Sequence, residues 1–474
     1  MASARDLKKV RIGLLGSGTV GTAIQELVLG GELQHKSRSD LDLEIVKIYT
    51  PHPEGKKWHA KRPELFTTDP HEVTDDPRAE IIVEALGAQQ ESHVAQYKKH
   101  ILRAFEKGKS VVTSDKAVLA RFGPEIWSAA ARHNREIRFE ACVGGGIPIV
   151  RSLTEGFSAE DPQGIFGIIN GTCNYILSEM KRGRRTYREA LREAQERGYA
   201  ETDPTADTSG MDAEAKLILL VAVSFGLHVP PGALCRKGIE EIQPVDFLYA
   251  QRKGSCTIKH LASARKKNGA IEAMVSPVLV PHDHLAATID GATNAMFFNG
   301  RLSHGVPLPQ GHGIPWDSGS WNYAFIGPGA GGGPTAVAIL GDVCDLARGR
   351  KSSLPNPVGG PKAGIAGFLS EDEIDAFFYL RFVVKDRTGI VADICRILGQ
   401  EGINISEVWQ LGHSAEELEA LAQAYKLDER RSDILPFVIT LERARLGQVK
   451  KALGIIGKQD FNLVDPVWMP IWKS

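Results

Sequence analysis

A group of acidic residues followed by one lysine lies near the middle of the chain. Residues 198–216 contain five carboxylates, Glu201, Asp203, Asp207, Asp212 and Glu214, ahead of Lys216. On a helix, Asp212 and Lys216 are four residues apart and share a face. A lysine partly withdrawn from water releases its proton more readily, so Lys216 is a candidate acid or base near neutral pH. The alternative is an ordinary surface ion pair, worth about 0.3 kcal/mol.

The residues around Lys216 predict where its helix lies. Ser209 or Gly210 can cap a helix that begins near Met211. Residues 217–223 (LILLVAV) are apolar on every face, which is typical of a buried helix. The sequence therefore predicts that Lys216 lies at the entrance of a buried helix and faces carboxylates.

A glycine-rich turn follows the first apolar segment of the chain. Residues 10–15 (VRIGLL) predict a strand, and residues 16–21 (GSGTVG) fit the G-x-G-x-x-G pattern before a helix. Such glycines let a pyrophosphate approach a helix N-terminus. Alternating strands and helices continue to about residue 141, which predicts a Rossmann-type doubly wound parallel sheet. A glycine turn that binds no nucleotide is the alternative.

The end of the second predicted strand, residues 43–49, bears on the choice of cofactor. NAD-binding proteins usually place an acid there for the ribose hydroxyls, and this chain has none. Lys56 and Lys57 follow the strand. An uncharged or basic site accepts a 2′-phosphate, so the sequence favours NADP and leaves NAD open.

Size and composition exclude several classes of protein. A chain of 474 residues predicts two to four domains, and the net charge of −1 disfavours a nucleic-acid binder. No apolar run approaches the roughly 20 residues of a membrane span. The N-terminus runs directly into a strand, and the six cysteines form no CxxC pair. These features predict a cytoplasmic protein with reduced thiols and no membrane or nucleic-acid partner.

Four further blocks occur in a characteristic order. They are residues 113–116 (TSDK), 140–149 (EACVGGGIPI), 170–177 (NGTCNYIL) and 198–216. Together they resemble homoserine dehydrogenases, from residue 10 to about residue 346. The resemblance implies reversible, nicotinamide-dependent interconversion of L-homoserine and L-aspartate 4-semialdehyde, in threonine and methionine biosynthesis.

The resemblance also assigns roles to residues. Lys216 matches the family's catalytic acid–base lysine, and Lys116 a second lysine that stabilises negative charge. Glu201 and Asp212 match carboxylates that hold the substrate ammonium and orient the lysine, with Asp207 in support. The residues expected at the cofactor are Gly16, Gly18, Thr19, Val20, Gly21, Thr113, Lys116 and Gly331.

Two other features follow from the same blocks. Glu140, Val143, Gly145 and Ile147 occupy the positions of a monovalent cation site in similar enzymes, which suits sodium. A glycine-rich connector without an ion is the alternative. The family usually reads TANK where this chain reads TSDK, so Asp115 is expected to alter the field beside the cofactor.

The last hundred residues form a separate pattern. Residues 347–374 are rich in Gly, Pro, Ser and Lys and predict a linker. Beyond them a β-α-β-β-α-β order predicts a ferredoxin-like fold. Its Asp386–Gly389 turn and Gly402-Ile-Asn-Ile resemble an ACT domain, with a charged helical insertion at residues 414–433. The resemblance implies an amino-acid effector, L-threonine, at Asp386, Gly389 and Asn404, although the module could serve assembly alone.

The predicted organisation is α/β with five parts. These are a dinucleotide-binding domain (1–143), an α+β substrate and dimerisation domain (144–320), a return segment to the nucleotide domain (321–346), a linker (347–374) and an ACT regulatory domain (375–474). Strands are expected at residues 165–169, 271–280 and 285–289 of the second part. The resemblance implies a homodimer or homotetramer.

Two alternative functions and one possible metal motif are weighed against this interpretation. A non-catalytic sensor of nucleotide and amino acid would not need Lys216 facing carboxylates. A dehydrogenase for a related aldehyde, acting through an acyl intermediate, would need an activated cysteine, for which Cys142 and Cys173 are the candidates. His282 and His284 resemble a metal pair, but nothing nearby completes it, so surface histidines are the better interpretation.

Overall fold

The structure, a computed structural model, describes residues 7–31, 41–88, 90–183, 185–302, 323–351 and 365–472. The chain divides into two compact units. The first takes in residues 1–159, 218–228 and 325–363, and the second takes in residues 160–217, 229–324 and 364–474. Within the predicted linker at residues 347–374, residues 352–364 lie outside the described residues.

The first unit is built on a six-stranded parallel sheet. Its strands are β1 (Lys8–Leu15), β2 (Leu41–Tyr49), β3 (Phe66–Thr67), β4 (Ile81–Glu84), β5 (Ser110–Thr113) and β6 (Ile137–Arg138). Their spatial order is β3-β2-β1-β4-β5-β6, with every pair parallel. This is the order of a dinucleotide-binding fold, so the predicted Rossmann-type sheet is confirmed.

Helices connect these strands. They are α1 (Thr19–Leu29), α2 (Lys57–Lys61), α3 (His71–Thr74), α4 (Glu91–Glu106), α5 (Lys116–Arg132) and α6 (Ile149–Arg151). The alternation of strands and helices, predicted to continue to about residue 141, ends slightly earlier, because the chain leaves the sheet after Arg138 and forms a 3₁₀ turn at Glu140–Cys142. In that turn the Cys142 amide donates to the Phe139 carbonyl instead of to a neighbouring strand.

The second unit begins with β7 (Pro162–Ile168), β8 (Cys235–Arg236), β9 (Cys256–Lys267), β10 (Ala270–Pro281) and β11 (Thr293–Gly300). Its helices are α7 (Gly171–Gly183), α8 (Tyr187–Glu196), α9 (Thr205–Thr208), α10 (Met211–Phe225, which continues into the first unit) and α11 (Pro244–Arg252). β9 and β10 form a long antiparallel hairpin. Asn268 and Gly269 at its turn both have positive φ, as a two-residue hairpin turn requires.

The predicted strand at residues 285–289 is wrong. Leu285–Thr288 is a 3₁₀ turn whose first residues are capped by His284, because the His284 ring nitrogen Nδ1 accepts from the Ala286 amide at 3.0 Å. His284 is buried and lies 4.8 Å from the Trp472 ring, so the surface interpretation of this histidine is also wrong.

One further helix belongs to the first unit. Strand β12 (Tyr323–Pro328) leads to α12 (Gly332–Ala347), and α12 packs on α1 through apolar side chains that include Ile24, Val28, Ile339 and Val343. The N-terminus of α12 comes close to α1, since a Cβ on Gly332 would lie 3.1 Å from the Thr19 carbonyl oxygen.

The C-terminal residues complete the sheet of the second unit. They form β13 (Asp375–Lys385), α13 (Ile390–Gln400), β14 (Ile405–Trp409), α14 (Ala415–Tyr425), β15 (Ile434–Leu441), β16 (Ala444–Arg445), α15 (Leu446–Ile456) and β17 (Val467–Ile471). The strand order β11-β7-β9-β10-β17-β13-β15-β14 joins them to the substrate region. The predicted β-α-β-β-α-β order is present, with α14 as the predicted insertion.

Both faces of β13 are buried. Phe378, Leu380 and Phe382 point into the apolar cluster beneath α13 and α15. On the opposite face the Arg381 guanidinium lies 2.9 Å from the Asp246 carboxylate of α11, and both side chains are fully buried. None of the described helices combines the length and apolar character needed to cross a membrane.

Candidate active site

The glycine loop of the first unit has three glycines with three different surroundings. Gly16 has a φ of +114°, and a Cβ there would meet the Ala85 carbonyl oxygen at 2.3 Å. A Cβ on Gly21 would lie 2.1 Å from the Gly16 carbonyl oxygen, whereas one on Gly18 would meet nothing within 4 Å. Glycine is therefore required at both ends of the loop, and open space lies at its middle.

That open space adjoins the beginning of α1. Gly18 is the N-cap and Thr19 and Val20 open the helix, so their amides have no partner within the helix. Such amides and the positive end of the helix dipole bind phosphate groups. The loop therefore fits the pyrophosphate of a dinucleotide. Gly331, with a φ of +112°, caps α12 beside this loop.

A buried carboxylate cluster lies where β4 and β5 end. The Thr113 hydroxyl donates to Glu84 Oε2 at 2.5 Å, and Glu84 Oε1 accepts from the Leu86 amide at 2.9 Å. Burial, with the charge of Asp115 second, raises the pKa of Glu84 well above its usual value. Glu84 is not among the residues predicted from the sequence, although an acid at the end of the apolar strand IIVE was an available signal.

Asp115 has a structural task that sequence analysis did not foresee. Its carboxylate caps α5 by accepting from the amides of Ala117 and Val118, and its second oxygen accepts from the Ala88 amide at 2.7 Å. Lys116, half-buried, is the first residue of the helix so capped. The acid in TSDK thus holds the turn that presents Lys116.

Lys216 lies in the second unit at the predicted place. Helix α10 begins at Met211, and the apolar residues after Lys216 are almost all buried, as predicted. The Lys216 side chain is only 10% exposed. Its Nζ donates to Asp212 Oδ2 at 2.7 Å and to the Ile169 carbonyl oxygen at 2.8 Å. A surface ion pair is excluded, because the ammonium is held between a carboxylate and a backbone carbonyl.

Asn170 joins this cluster, although sequence analysis assigned it no role. Its Nδ2 donates to Asp207 Oδ1 at 2.7 Å and to Asp212 Oδ2 at 2.8 Å. Its presence in the block NGTCNYIL, at a junction of strand and helix, was the available signal. The structure thus brings together Asp207, Asp212 and Lys216.

Glu201 differs from the residues of this cluster in its exposure to solvent. It is exposed, and its backbone carbonyl accepts from Gln195 Nε2 at 3.0 Å. Its assignment to the substrate ammonium stays a prediction.

In the segment predicted to bind a cation, residues 140–147, the carboxylate of Glu140 binds backbone amides. Both oxygens of Glu140 accept backbone amides, from Val150 at 2.9 Å and from Arg151 at 2.8 Å. Burial raises the pKa of Glu140 to about 7. Within the described ranges no group of three or more His, Cys, Asp or Glu side chains is arranged to hold a metal. Any ion here would depend on backbone carbonyls, including those of Val143, Gly145 and Ile147.

The two candidate nucleophiles are both buried thiols. Cys142 Sγ donates to the Thr113 carbonyl at 3.4 Å, and Cys173 Sγ donates to the Asp207 carbonyl at 3.2 Å. Burial raises the pKa of both thiols well above the usual value. Since the thiolate is the nucleophile, this geometry disfavours an acyl-enzyme mechanism.

The expected effector residues lie at opposite ends of one helix. The Asp386–Gly389 turn precedes α13, with Gly389 at a φ of +92°, and Asn404 follows it. Asn404 Nδ2 donates to Glu442 Oε2 at 3.3 Å, and the Asp386 amide donates to the Asp433 carbonyl at 2.9 Å. Eleven residues of helix, about 16 Å at 1.5 Å per residue, separate the turn from Asn404.

Known proteins match the chain over both units. A family model described as the NAD-binding domain of homoserine dehydrogenase matches residues 16–140, and one described as homoserine dehydrogenase matches residues 148–344. The homoserine dehydrogenase of Pseudomonas aeruginosa is 34% identical over 422 residues, covering 88% of this chain and 91% of the relative. The chain belongs to the homoserine dehydrogenase family.

Other relatives agree with this assignment. The homoserine dehydrogenase of Bacillus subtilis is 31% identical and covers 92% of this chain and 96% of the relative. The crystal structure of homoserine dehydrogenase from Thiobacillus denitrificans has a TM-score of 0.79 at 30% identity and covers 99% of each chain. A hyperthermophilic archaeal homoserine dehydrogenase in complex with NADPH has a TM-score of 0.57 at 25% identity, covering 73% of this chain and 99% of that one. This family member is an oxidoreductase of amino-acid biosynthesis with a nicotinamide-cofactor domain.

Proposed function

We propose that this enzyme interconverts L-homoserine and L-aspartate 4-semialdehyde with NADP(H), and that Lys216 is its acid–base residue. The main support for the proposal is that the Lys216 ammonium donates hydrogen bonds to Asp212 Oδ2 and to the Ile169 carbonyl oxygen. A lysine held in this way keeps one N–H for a third partner, because its ammonium has three donors. That third donor is available for a substrate oxygen.

The chemistry divides between the cofactor and the protein. The nicotinamide supplies or accepts the hydride at the substrate carbon. In the reductive direction Lys216 donates a proton to the aldehyde oxygen, and in the oxidative direction it accepts the proton of the hydroxyl. Asp212 orients Lys216, Lys116 stabilises the developing negative charge, and Glu201 and Asp207 act on the substrate ammonium.

The end of β2 supports a preference for NADP. Tyr49 and Thr50 place no carboxylate where a ribose 2′-hydroxyl would need one. Lys57 is already paired with Glu26 at 2.8 Å, which leaves Lys56 as the lysine for a 2′-phosphate. The complex of the archaeal relative with NADPH is consistent with this preference. A catalytic efficiency tenfold higher with NAD than with NADP would contradict it.

A monovalent ion such as sodium in the 140–147 segment belongs to the same proposal. Because the Glu140 carboxylate is occupied by two amides, the ion would be bound by carbonyl oxygens, which suit a hard cation. Activity in sodium, potassium and choline salts of equal ionic strength is the test. Equal rates in all three would leave this segment as a connector.

The C-terminal module, residues 375–474, is proposed to be an ACT domain that senses an amino acid, L-threonine. Its strand order β17-β13-β15-β14, with α13 and α15, supports the ferredoxin-like assignment. Since α13 separates the Asp386–Gly389 turn from Asn404, one effector would need the turn of one copy and the Asn404 of another. A homodimer or homotetramer is therefore part of the proposal. If titration with threonine released no heat in calorimetry, the module would be left with a role in assembly only.

The direct test of the activity follows NADPH absorbance at 340 nm. We expect oxidation of NADPH with aspartate semialdehyde and reduction of NADP with homoserine. 4-Hydroxybutyrate, which lacks the ammonium, and 3-amino-1-propanol, which lacks the carboxylate, serve as control substrates, because each keeps the primary hydroxyl that is oxidised. Cofactor binding without turnover of either amino acid would indicate a sensor instead of an enzyme.

A further inference from the structure

The Asn170 side chain uses all of its strong hydrogen-bonding groups in one place. It is 4% exposed. Its two N–H bonds go to two different carboxylates, Asp207 at 2.7 Å and Asp212 at 2.8 Å. Its oxygen Oδ1 accepts from the Cys173 amide at 2.8 Å, which caps the first turn of α7. One residue therefore begins a helix and bridges two acids.

The bridge extends to Lys216 through a shared atom. Asp212 Oδ2 accepts both from Asn170 Nδ2 and from Lys216 Nζ. The residue before Asn170 contributes as well, because the Ile169 carbonyl accepts from Lys216 at 2.8 Å. Two consecutive residues after β7 thus hold the lysine directly and hold the carboxylate that faces it.

Helix capping alone does not account for an asparagine here. Serine, threonine and aspartate cap a helix about as well as asparagine, since the cap needs only an acceptor oxygen. The opposite side of this residue faces two carboxylates, which require a donor with two hydrogens. Serine has one hydrogen and aspartate, when ionised, has none. The amide therefore matches the bridge more closely than it matches the cap.

We propose that Asn170 is a positioning residue for the proton transfer at Lys216. It holds Asp212 in the orientation that directs the Lys216 ammonium, and it keeps Asp207 beside Asp212 despite their like charges. This inference rests on the proposed role of Lys216. A displacement of about 1 Å at a reacting group can lower the rate about 10²-fold, so loss of the bridge has a measurable consequence.

Two substitutions separate the bridge from the cap. Asn170→Ser keeps an acceptor for the Cys173 amide but cannot reach both carboxylates. Asn170→Asp also keeps the cap but sets a third carboxylate against Asp207 and Asp212. Thr186→Ala is the matched control, because Thr186 caps α8 by accepting from the Glu189 amide and takes no part in the cluster.

We expect Asn170→Ser to lower kcat/KM about 10²-fold while its melting temperature falls no further than that of Thr186→Ala. Asn170→Asp should be less active than Asn170→Ser at pH 8 and should recover as the pH falls, because a protonated aspartate can again donate. Among the described residues, the titratable groups near the cluster include Lys216, Cys173, Glu240 and His260. Burial raises the pKa of Cys173 well above its usual value and lowers the pKa of His260 to about 4, so both stay neutral in this range. A purely structural residue would not show the reversed pH profile.

Different results would overturn the positioning role of Asn170 and the acid–base role of Lys216. Wild-type kcat/KM in Asn170→Ser, with the stability of Thr186→Ala, would overturn the positioning role and leave Asn170 as a cap. An Asn170→Asp profile parallel to that of the wild type would also overturn it. If Lys216→Ala retained activity, the role of Lys216 itself would fail, whatever the Asn170 variants show.

Discussion

Each unit places two carboxylates close together, buried in the first unit and partly buried in the second, and the two pairs have different partners. In the first unit Glu84 is bound by the Thr113 hydroxyl and a backbone amide, and burial raises its pKa. In the second unit Asp212 is bound by the Lys216 ammonium and the Asn170 amide. The same side-chain chemistry thus supplies a carboxyl that retains its proton in one place and a counter-ion in the other.

This difference separates the tasks of the two clusters. A carboxyl that retains its proton at the ends of β4 and β5 shapes the sheet edge where a dinucleotide fold binds its cofactor. A carboxylate that faces an ammonium can orient a proton carrier. We therefore expect substitutions at Lys216 and Asp212 to change activity and substitutions at Glu84 and Asp115 to change stability.

The largest effect is expected from Lys216→Ala. Loss of a general acid–base group should lower kcat about 10²–10⁴-fold, with the dissociation constant for NADPH unchanged. Lys237→Ala is the matched control, because Lys237 forms an ion pair with Glu241 at the same i,i+4 spacing. It should retain kcat within about twofold, since an ion pair whose acid is 56% exposed contributes little. Steady-state rates and fluorescence titration with NADPH measure both, and equal losses in the two variants would contradict the assignment.

Asp212→Asn should have the next largest effect. The amide keeps the size of the side chain but removes the charge that faces the Lys216 ammonium. A hydrogen bond to a charged group contributes about 1.5–3 kcal/mol, so we expect kcat/KM to fall about 10–100-fold. The matched variant in the other cluster is Glu84→Gln, which should change kcat/KM less than about threefold. A larger loss in Glu84→Gln than in Asp212→Asn would reverse the comparison.

Local patterns predicted the part of the Lys216 cluster whose residues lie close together in sequence. Asp212 and Lys216 share a helix face because they are four residues apart, and the apolar run after them indicated burial. The Rossmann-type sheet followed from alternating strands and helices, and its strand order agrees. The glycine loop was predicted for the same reason, since its three glycines act within six residues.

Local sequence patterns could not predict contacts between segments that are distant in the chain. Asn170 meets Asp207 and Asp212 only because α7 and α10 begin close together, about 40 residues apart in sequence. The exposure of Glu201 depends on the path of its loop. The 3₁₀ turn at residues 285–288 forms because His284 caps it, which an alternating apolar pattern does not reveal. Pairing of β17 with β10 is likewise a long-range choice.

The titration of Glu84 predicts how the free energy of unfolding changes with pH, an effect smaller than those expected on activity. The ordinary pKa of Glu84 is 4.5 and burial raises it in the folded chain, so folding favours the protonated form. The contribution of Glu84 to stability is complete below pH 4.5 and is lost as the pH rises through the raised pKa of the folded state. Each pKa unit between the folded and unfolded values of Glu84 corresponds to about 1.4 kcal/mol in the free energy of unfolding.

We therefore expect the wild type to lose stability between about pH 5 and pH 8 faster than Glu84→Gln, which has no proton to release. Glu140 and Asp342, whose pKa values burial raises to about 7 and about 6, contribute with the same sign to both proteins. The difference between the two unfolding curves isolates Glu84. Parallel curves would mean that Glu84 is ionised in the folded chain.

The smallest effect is expected at Asp115, and it tests whether this acid acts on the helix or on the cofactor. Asp115→Asn keeps an oxygen for the Ala117 and Val118 amides but loses the acceptor of the Ala88 amide, whereas Asp115→Ala loses both. Asparagine caps helices as well as aspartate, and loss of a cap costs about 1 kcal/mol.

Thermal unfolding should thus rank the wild type above Asp115→Asn and Asp115→Asn above Asp115→Ala, with NADPH affinity nearly constant. If Asp115→Asn instead changed NADPH affinity about tenfold without loss of stability, the charge of Asp115 would act on the cofactor. The acid in TSDK would then belong to the chemistry of the site, and the division between a structural and a catalytic pair of carboxylates would no longer hold.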